Sequence, residues 1–175
     1  MSILYGFPNQ AISEISSLLL NDKIFNKFLW YSSVDDEDIL SLPDIEKPIE
    51  KLLNHKVFQS RKIDKILHDA DISVYIVLRS YKPASHNYTN SFYVSDTTLE
   101  IGIVCHNKYR DTLNGSRDVA VACRVAELIC ENKELSGIGH FELVGFEPNY
   151  NIPPEYTAYR LLVSVNNFTK PNVRK

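Results

Sequence analysis

Hydrophobic positions change their period several times along the chain. In residues 9–30, "NQAISEISSLLLNDKIFNKFLW", Ile12, Ile15, Leu18 and Leu19 and then Ile24, Phe25, Phe28 and Leu29 recur at helical spacing. The polar "NDK" between the two sets predicts two short helices. Pro43 and Pro48 forbid a long helix in the next stretch, leaving room for one helical turn near residues 49–54. "VFQSRKIDKILHDA" reads as an irregular extended connection. The period then drops to two. "ISVYIVL" (72–78) places Ile72, Val74, Ile76 and Leu78 on one face, and "TTLEIGIVC" (97–105) does the same with Leu99, Ile101, Ile103 and Cys105. These two strands are expected to pair as a hairpin. Between them "RSYKPASHNYTNSFYVSD" (79–96) is polar, aromatic and rich in turn formers, far longer than a hairpin needs.

Helical spacing returns at 116–131. Asn114 or Ser116 can cap that helix, and Asp118 in its first turn suits the positive end of the dipole. It is apolar almost all round, whereas a surface helix keeps about half its circumference polar. Val119, Ala122, Ala126 and Ile129 are assigned to the sheet, and Val121, Val125 and Leu128 to a second layer. Either the N-terminal helices or a neighbouring subunit must supply that layer. "SGIGHFELVGF" gives a turn and a strand near 140–146, and "AYRLLVSVNNF" a last strand after a proline-rich connection. The order predicts an α+β fold: a small, mostly antiparallel sheet of about four strands packed by a central helix, with N-terminal helices. The chain divides into an N-terminal helical segment (1–56), an α+β core (57–168) and a basic C-terminal tail (169–175) within one domain.

With 175 residues, 44% hydrophobic and 23% charged, the chain can bury a real core. A net charge of −3 argues against a surface built to neutralise phosphates. Cys105, Cys123 and Cys130 are odd in number and lack CxxC spacing, so they read as buried free thiols. The N-terminus lacks the basic start and apolar run of a signal peptide, and no stretch approaches the ~20 apolar residues of a membrane span. Cytoplasmic synthesis is therefore expected.

No constellation for chemistry emerges. His55, His68, His86, His106 and His140 are scattered, and Cys105 and His106 point to opposite faces of a strand. "DDED" (35–38) lacks the spaced ligands and central glycine of a calcium loop. Glu100 has no lysine two places on, as a nuclease strand would want. No nucleophile elbow, phosphate loop or zinc helix motif is present. No catalytic residue, cofactor or metal is expected.

The order of motifs resembles a group of bacteriophage neck proteins, the tail terminator or head–tail joining proteins of tailed phages. "NDKIFNKFLWYSSVDDEDILSLPDI", "VFQSRKID", "ISVYIVL", "LEIGIVCHNKYRDTLNGSRDVAVACRVAELI", "LSGIGHFELVGF" and "YTAYRLLVSV" carry the resemblance, from about residue 20 to 167. It implies a non-enzymatic virion subunit that forms a six-fold or twelve-fold homo-oligomeric ring and contacts other neck, portal or tail proteins. DNA would pass through the lumen without specific recognition, and assembly would occur in the host cytoplasm without a membrane. On this reading the long loop reaches a neighbour through Arg79, Tyr81, Lys82, His86, Tyr88, Phe92 and Tyr93. The helix would contribute Val121, Val125 and Leu128, and Arg117 would pair with Asp111 or a carboxylate of the next subunit. A small nucleic-acid-binding or DNA-packaging accessory protein is the alternative, favoured by the basic tail and by Arg79, Tyr81 and Lys82.

Overall fold

The computed structural model describes residues 3–31, 38–61, 71–86, 93–113, 115–132, 134–135 and 139–169. Four α-helices occur among them: α1 (Ile3–Leu20), α2 (Lys23–Trp30), α3 (Pro48–Leu52) and α4 (Arg117–Glu131). The strands are β1 (Val57–Phe58), β2 (Ile72–His86), β3 (Tyr93–His106), β4 (Asp111–Thr112), β5 (Gly115–Ser116), β6 (Glu134–Leu135), β7 (Gly139–Pro148) and β8 (Tyr156–Thr169). The main sheet has six strands in the order β1-β2-β3-β8-β7-β6, and β4 and β5 form a separate hairpin. Only β1–β2 is parallel among these pairs.

The α+β class and the hairpin of β2 with β3 agree with the hydrophobic pattern, down to a register that sets Ile72 opposite Cys105 and Leu78 opposite Leu99. The expected four strands are the long ones. The two extra members, β1 and β6, are two residues each, too short to show a period. The presumed loop 79–96 is largely strand: β2 continues to His86 and β3 starts at Tyr93, with bulges after Leu78 and Lys82 absorbing the irregular sequence. Residues 87–92, including Tyr88 and Phe92, lie outside the described residues. Leu78 shares a sheet face with buried Leu99, as its period implies, but is 46% exposed there, next to the first bulge.

The helices lie on one face of the sheet, α1 over β2 and α4 over β3, β8 and β7, and α2 packs against both α1 and α4. One continuous core joins Ile15, Leu19, Phe25 and Leu29 to Val74, Ile101, Leu161 and Val163 through α4. α1 and α2 are separate because Asp22 accepts from the Phe25 amide (2.7 Å) and caps α2.

The apolar circumference of α4 is thereby explained. Asp118 bonds to Thr157 on β8, so Asp118, Ala122, Val125 and Ile129, spaced one turn apart, face the sheet. Arg117 and Arg124 bond to groups of α2, so Arg117, Val121, Arg124 and Leu128 face the helices. The assignment of Val121, Val125 and Leu128 to a neighbouring subunit is corrected: all three are buried within their own chain, Val125 on the sheet side. Val119 and Ala126 are only half-buried. Cys123 and Cys130, seven residues apart on the opposite stripe, are exposed rather than buried, and only Cys105 is a core thiol.

Candidate assembly surface

The described residues place their buried charges at the joints between elements. Arg110 and Arg117 frame the β4–β5 hairpin, closed by the Arg117 amide donating to the Arg110 carbonyl (2.8 Å). At its turn Gly115 takes φ +97°, a conformation that a side chain would strain. Ser116 holds the N-cap position of α4 without a side-chain cap bond, and Asn114 lies outside the described residues. Asp118 serves instead: its carboxylate accepts from the Val119 amide (2.9 Å), the Arg110 guanidinium (3.2 Å) and the Thr157 hydroxyl (2.6 Å).

Arg117 is 0% exposed and donates to three groups on two other segments. Its Nε donates to the Phe28 carbonyl (2.6 Å) and one Nη to the Leu29 carbonyl (3.1 Å) near the end of α2. The other Nη donates to Asp71 (2.7 Å) just before β2. Lys56 also binds Asp71. The expected partner, Asp111 or a neighbour's carboxylate, is thus corrected to Asp71 of the same chain. Burial pushes the Asp71 carboxyl up, but Arg117 and Lys56 outweigh it and hold the group below the usual carboxylate range. Lys56 is lowered, by burial that Asp71 only partly offsets. Cys105, pushed up to about 12 chiefly by burial, is a protonated core thiol and no nucleophile.

The opposite sheet face carries a smaller apolar cluster of Phe58, Tyr75, Val104 and Ala158. The Tyr75 ring lies across Gly102, where an added Cβ would stand 2.0 Å from ring carbon Cζ. Its hydroxyl donates to Glu100 (3.0 Å), which also accepts from Arg79 (3.2 Å). Burial and then the Glu100 charge raise the Tyr75 phenol to about 12. Arg79 is therefore half of an ion pair with a buried carboxylate, not a lone cation awaiting phosphate. Period-two reading assigned Tyr75 and Glu100 to the non-core face, but their meeting depends on the β2–β3 register, which only the folded hairpin defines.

Of the remaining interface candidates, Tyr81 packs against the core from the helix-side face, and Lys82, His86 and Tyr93 belong to paired backbone of β2 and β3. Beside the β7–β8 connection a cleft of about 530 Å³ is walled by Pro148, Tyr150, Ile152, Pro154, Tyr156 and Tyr159. It contains no charged lining group. Among the described residues no cluster of three His, Cys, Asp or Glu could hold a metal ion, and no helix is long and apolar enough to cross a membrane.

Exposed large apolar side chains occur in the helical region (Ile24, Trp30, Leu40, Ile49), in loops (Leu113, Tyr150) and on the outer strands of the sheet, where they are Leu78 on β2 and Val144 (54% exposed) and Phe146 (44%) on β7. Phe146 stands edge-on to Tyr159 (5.7 Å between ring centroids), leaving its outer side open. Such surface is suited to contact with protein rather than to chemistry.

A family model described as YomW matches residues 21–165, from just before α2 to Val165 in β8. No curated protein matches the chain. The family's name comes from a Bacillus phage. With most of its length matched, the chain belongs to the YomW family and is a phage-associated protein.

Proposed function

We propose that the chain is a structural subunit of a tailed-phage particle, a ring-forming neck protein of the tail terminator or head–tail joining type. The phage association of its family supports the virion setting. The observation that carries the structural role is the extension of the central strands. One core-side row runs through Tyr81, Thr97, Val165 and Phe141, and the pairing of β7 with β8 starts at His140, opposite Asn166. Beyond that point β3 still pairs Tyr93–Ser95 with Asn167–Thr169 of β8, and Tyr93 and Val94 with His86 and Ser85 of β2. Three strands that run on together past their neighbour present paired backbone that another subunit can bind.

In this reading six or twelve copies form the ring, other neck, portal or tail proteins bind its faces, and DNA passes through the lumen unread. No residue is assigned a catalytic role. The buried charges all tie one element to another, as a rigid building block requires. The test replaces residues 83–95 by Asn-Gly, joining Lys82 to Asp96 through a two-residue hairpin turn. The variant is expected to fold with an unchanged circular-dichroism spectrum, while phage carrying it accumulate filled heads and unattached tails in electron micrographs. Normal particles that contain the shortened protein would overturn the proposal.

A further inference from the structure

Among the described residues the sheet ends in two incompletely covered edges, and they match. On one side β1 pairs only with Val74 and Tyr75 of β2. On the other, β6 pairs only with Gly139 and His140 of β7. Among the described residues no strand pairs with the outer side of Ile76–Ser80 of β2, whose inner side pairs with β3, or of Phe141–Pro148 of β7, whose inner side pairs with β8. The Val74 amide donates to Lys56 (2.7 Å), so Val74 turns its backbone groups toward the β1 side, and by alternation so do Ile76 and Leu78. The Asn149 amide donates to Ala158 on β8 (2.9 Å), so Phe146 turns its backbone groups to the outer edge. Open edges of this length are ordinarily covered, shortened or charged, because they template pairing with another chain.

We infer that these edges pair with each other between copies, β2 of one subunit hydrogen-bonding to β7 of the next, so that the sheet runs on from subunit to subunit. Two observations single out a second copy of this chain as the occupant. The long strands alternate in direction across β2, β3, β8 and β7, so a copy set alongside by rotation presents β7 antiparallel to β2, like every other long pair in the sheet. Both edges also expose apolar side chains, Leu78 on one and Val144 and Phe146 on the other, which the junction would cover. The contact is head-to-tail, using different surfaces on each partner, and head-to-tail contacts are those that close into rings. The inference rests on the ring reading and specifies its interface.

Crosslinking between protomers tests it. Exposed Cys123 and Cys130 are first replaced by serine. One protomer then carries Ser80→Cys, and a second carries Glu142→Cys, Val144→Cys or Phe146→Cys in turn. Each is treated with a short bis-maleimide, alone and mixed, while light scattering measures the mass. Covalent dimers from a mixture, and none from either protomer alone, are expected. Homodimers from Ser80→Cys alone would overturn the inference in favour of a two-fold edge. An assembled oligomer with no crosslink in any mixture would overturn it and leave the ring standing. A chain that stays monomeric at every concentration, without crosslinks, would remove both.

Discussion

Replacing Arg117 by alanine isolates what holds the helical layer to the sheet. The guanidinium is fully buried and joins the start of α4 to the Phe28 and Leu29 carbonyls and to Asp71. Removing it leaves two carbonyls short of a donor and, among the described residues, Asp71 with Lys56 alone as ion-pair partner. Breaking a buried pair by deleting one partner costs about 3–5 kcal/mol. That is a large share of the roughly 5–15 kcal/mol by which domains are stable, so Arg117→Ala is expected to unfold at markedly lower urea. Arg117→Lys keeps the charge but not the planar fork and should lose about half as much. The assay is urea unfolding followed by far-ultraviolet circular dichroism, with Asp71→Asn and the double variant closing a mutant cycle. The acid limb adds a second check. Because the folded Asp71 carboxyl lies below its ordinary value of 3.8, the pair's contribution is complete above that pH and is lost as pH falls through the lower folded value. The gap between wild type and Arg117→Ala should therefore narrow in strong acid. A loss under about 1 kcal/mol at neutral pH would refute the reasoning, since a surface arginine would do as little.

Gly102→Ala should cost about 1–3 kcal/mol, because the new methyl meets the Tyr75 ring at 2.0 Å and must displace it from Glu100; pairing the change with Tyr75→Ala should recover part of that loss in the same urea assay. In thiol titration with an aromatic disulfide reagent, Cys123 and Cys130 should react in the native protein and Cys105 only after denaturation, since it is buried with its thiol held protonated. Fast native reaction of all three thiols would place Cys105 outside the core.

What the sequence made legible follows from which interactions are local. Helix period and capping are read over a few residues, so α2, with Asp22 bonded to the Phe25 amide, and α4 were recoverable within a residue or two. The shared facing of β2 and β3 was recoverable too, because Ile72–Ile76 and Leu99–Cys105 must lie on the buried face and a one-residue slip would expose them, but which residue stands opposite which was not. The second cover of α4 was visible as a requirement, but its source was not. Nothing in "RVAELIC" says whether Leu128 meets this chain's helices or another's.

The partner of Arg117 was hidden for the same reason. Asp71 lies 46 residues away in sequence, and the two meet only because α4 and β2 begin at the same end of the sheet. Bulges hid the rest. After Leu78 the alternation breaks, so strand looked like loop, and its exposed Leu78 looked like core. Those breaks occur where β2 runs beyond its pairing with β1, and β7 has its own break at Val144, beyond its pairing with β6. A bulge twists an edge and re-aims side chains. On the inferred junction both irregular stretches face one another, so the positions hardest to read within one chain are those that a second copy would fix.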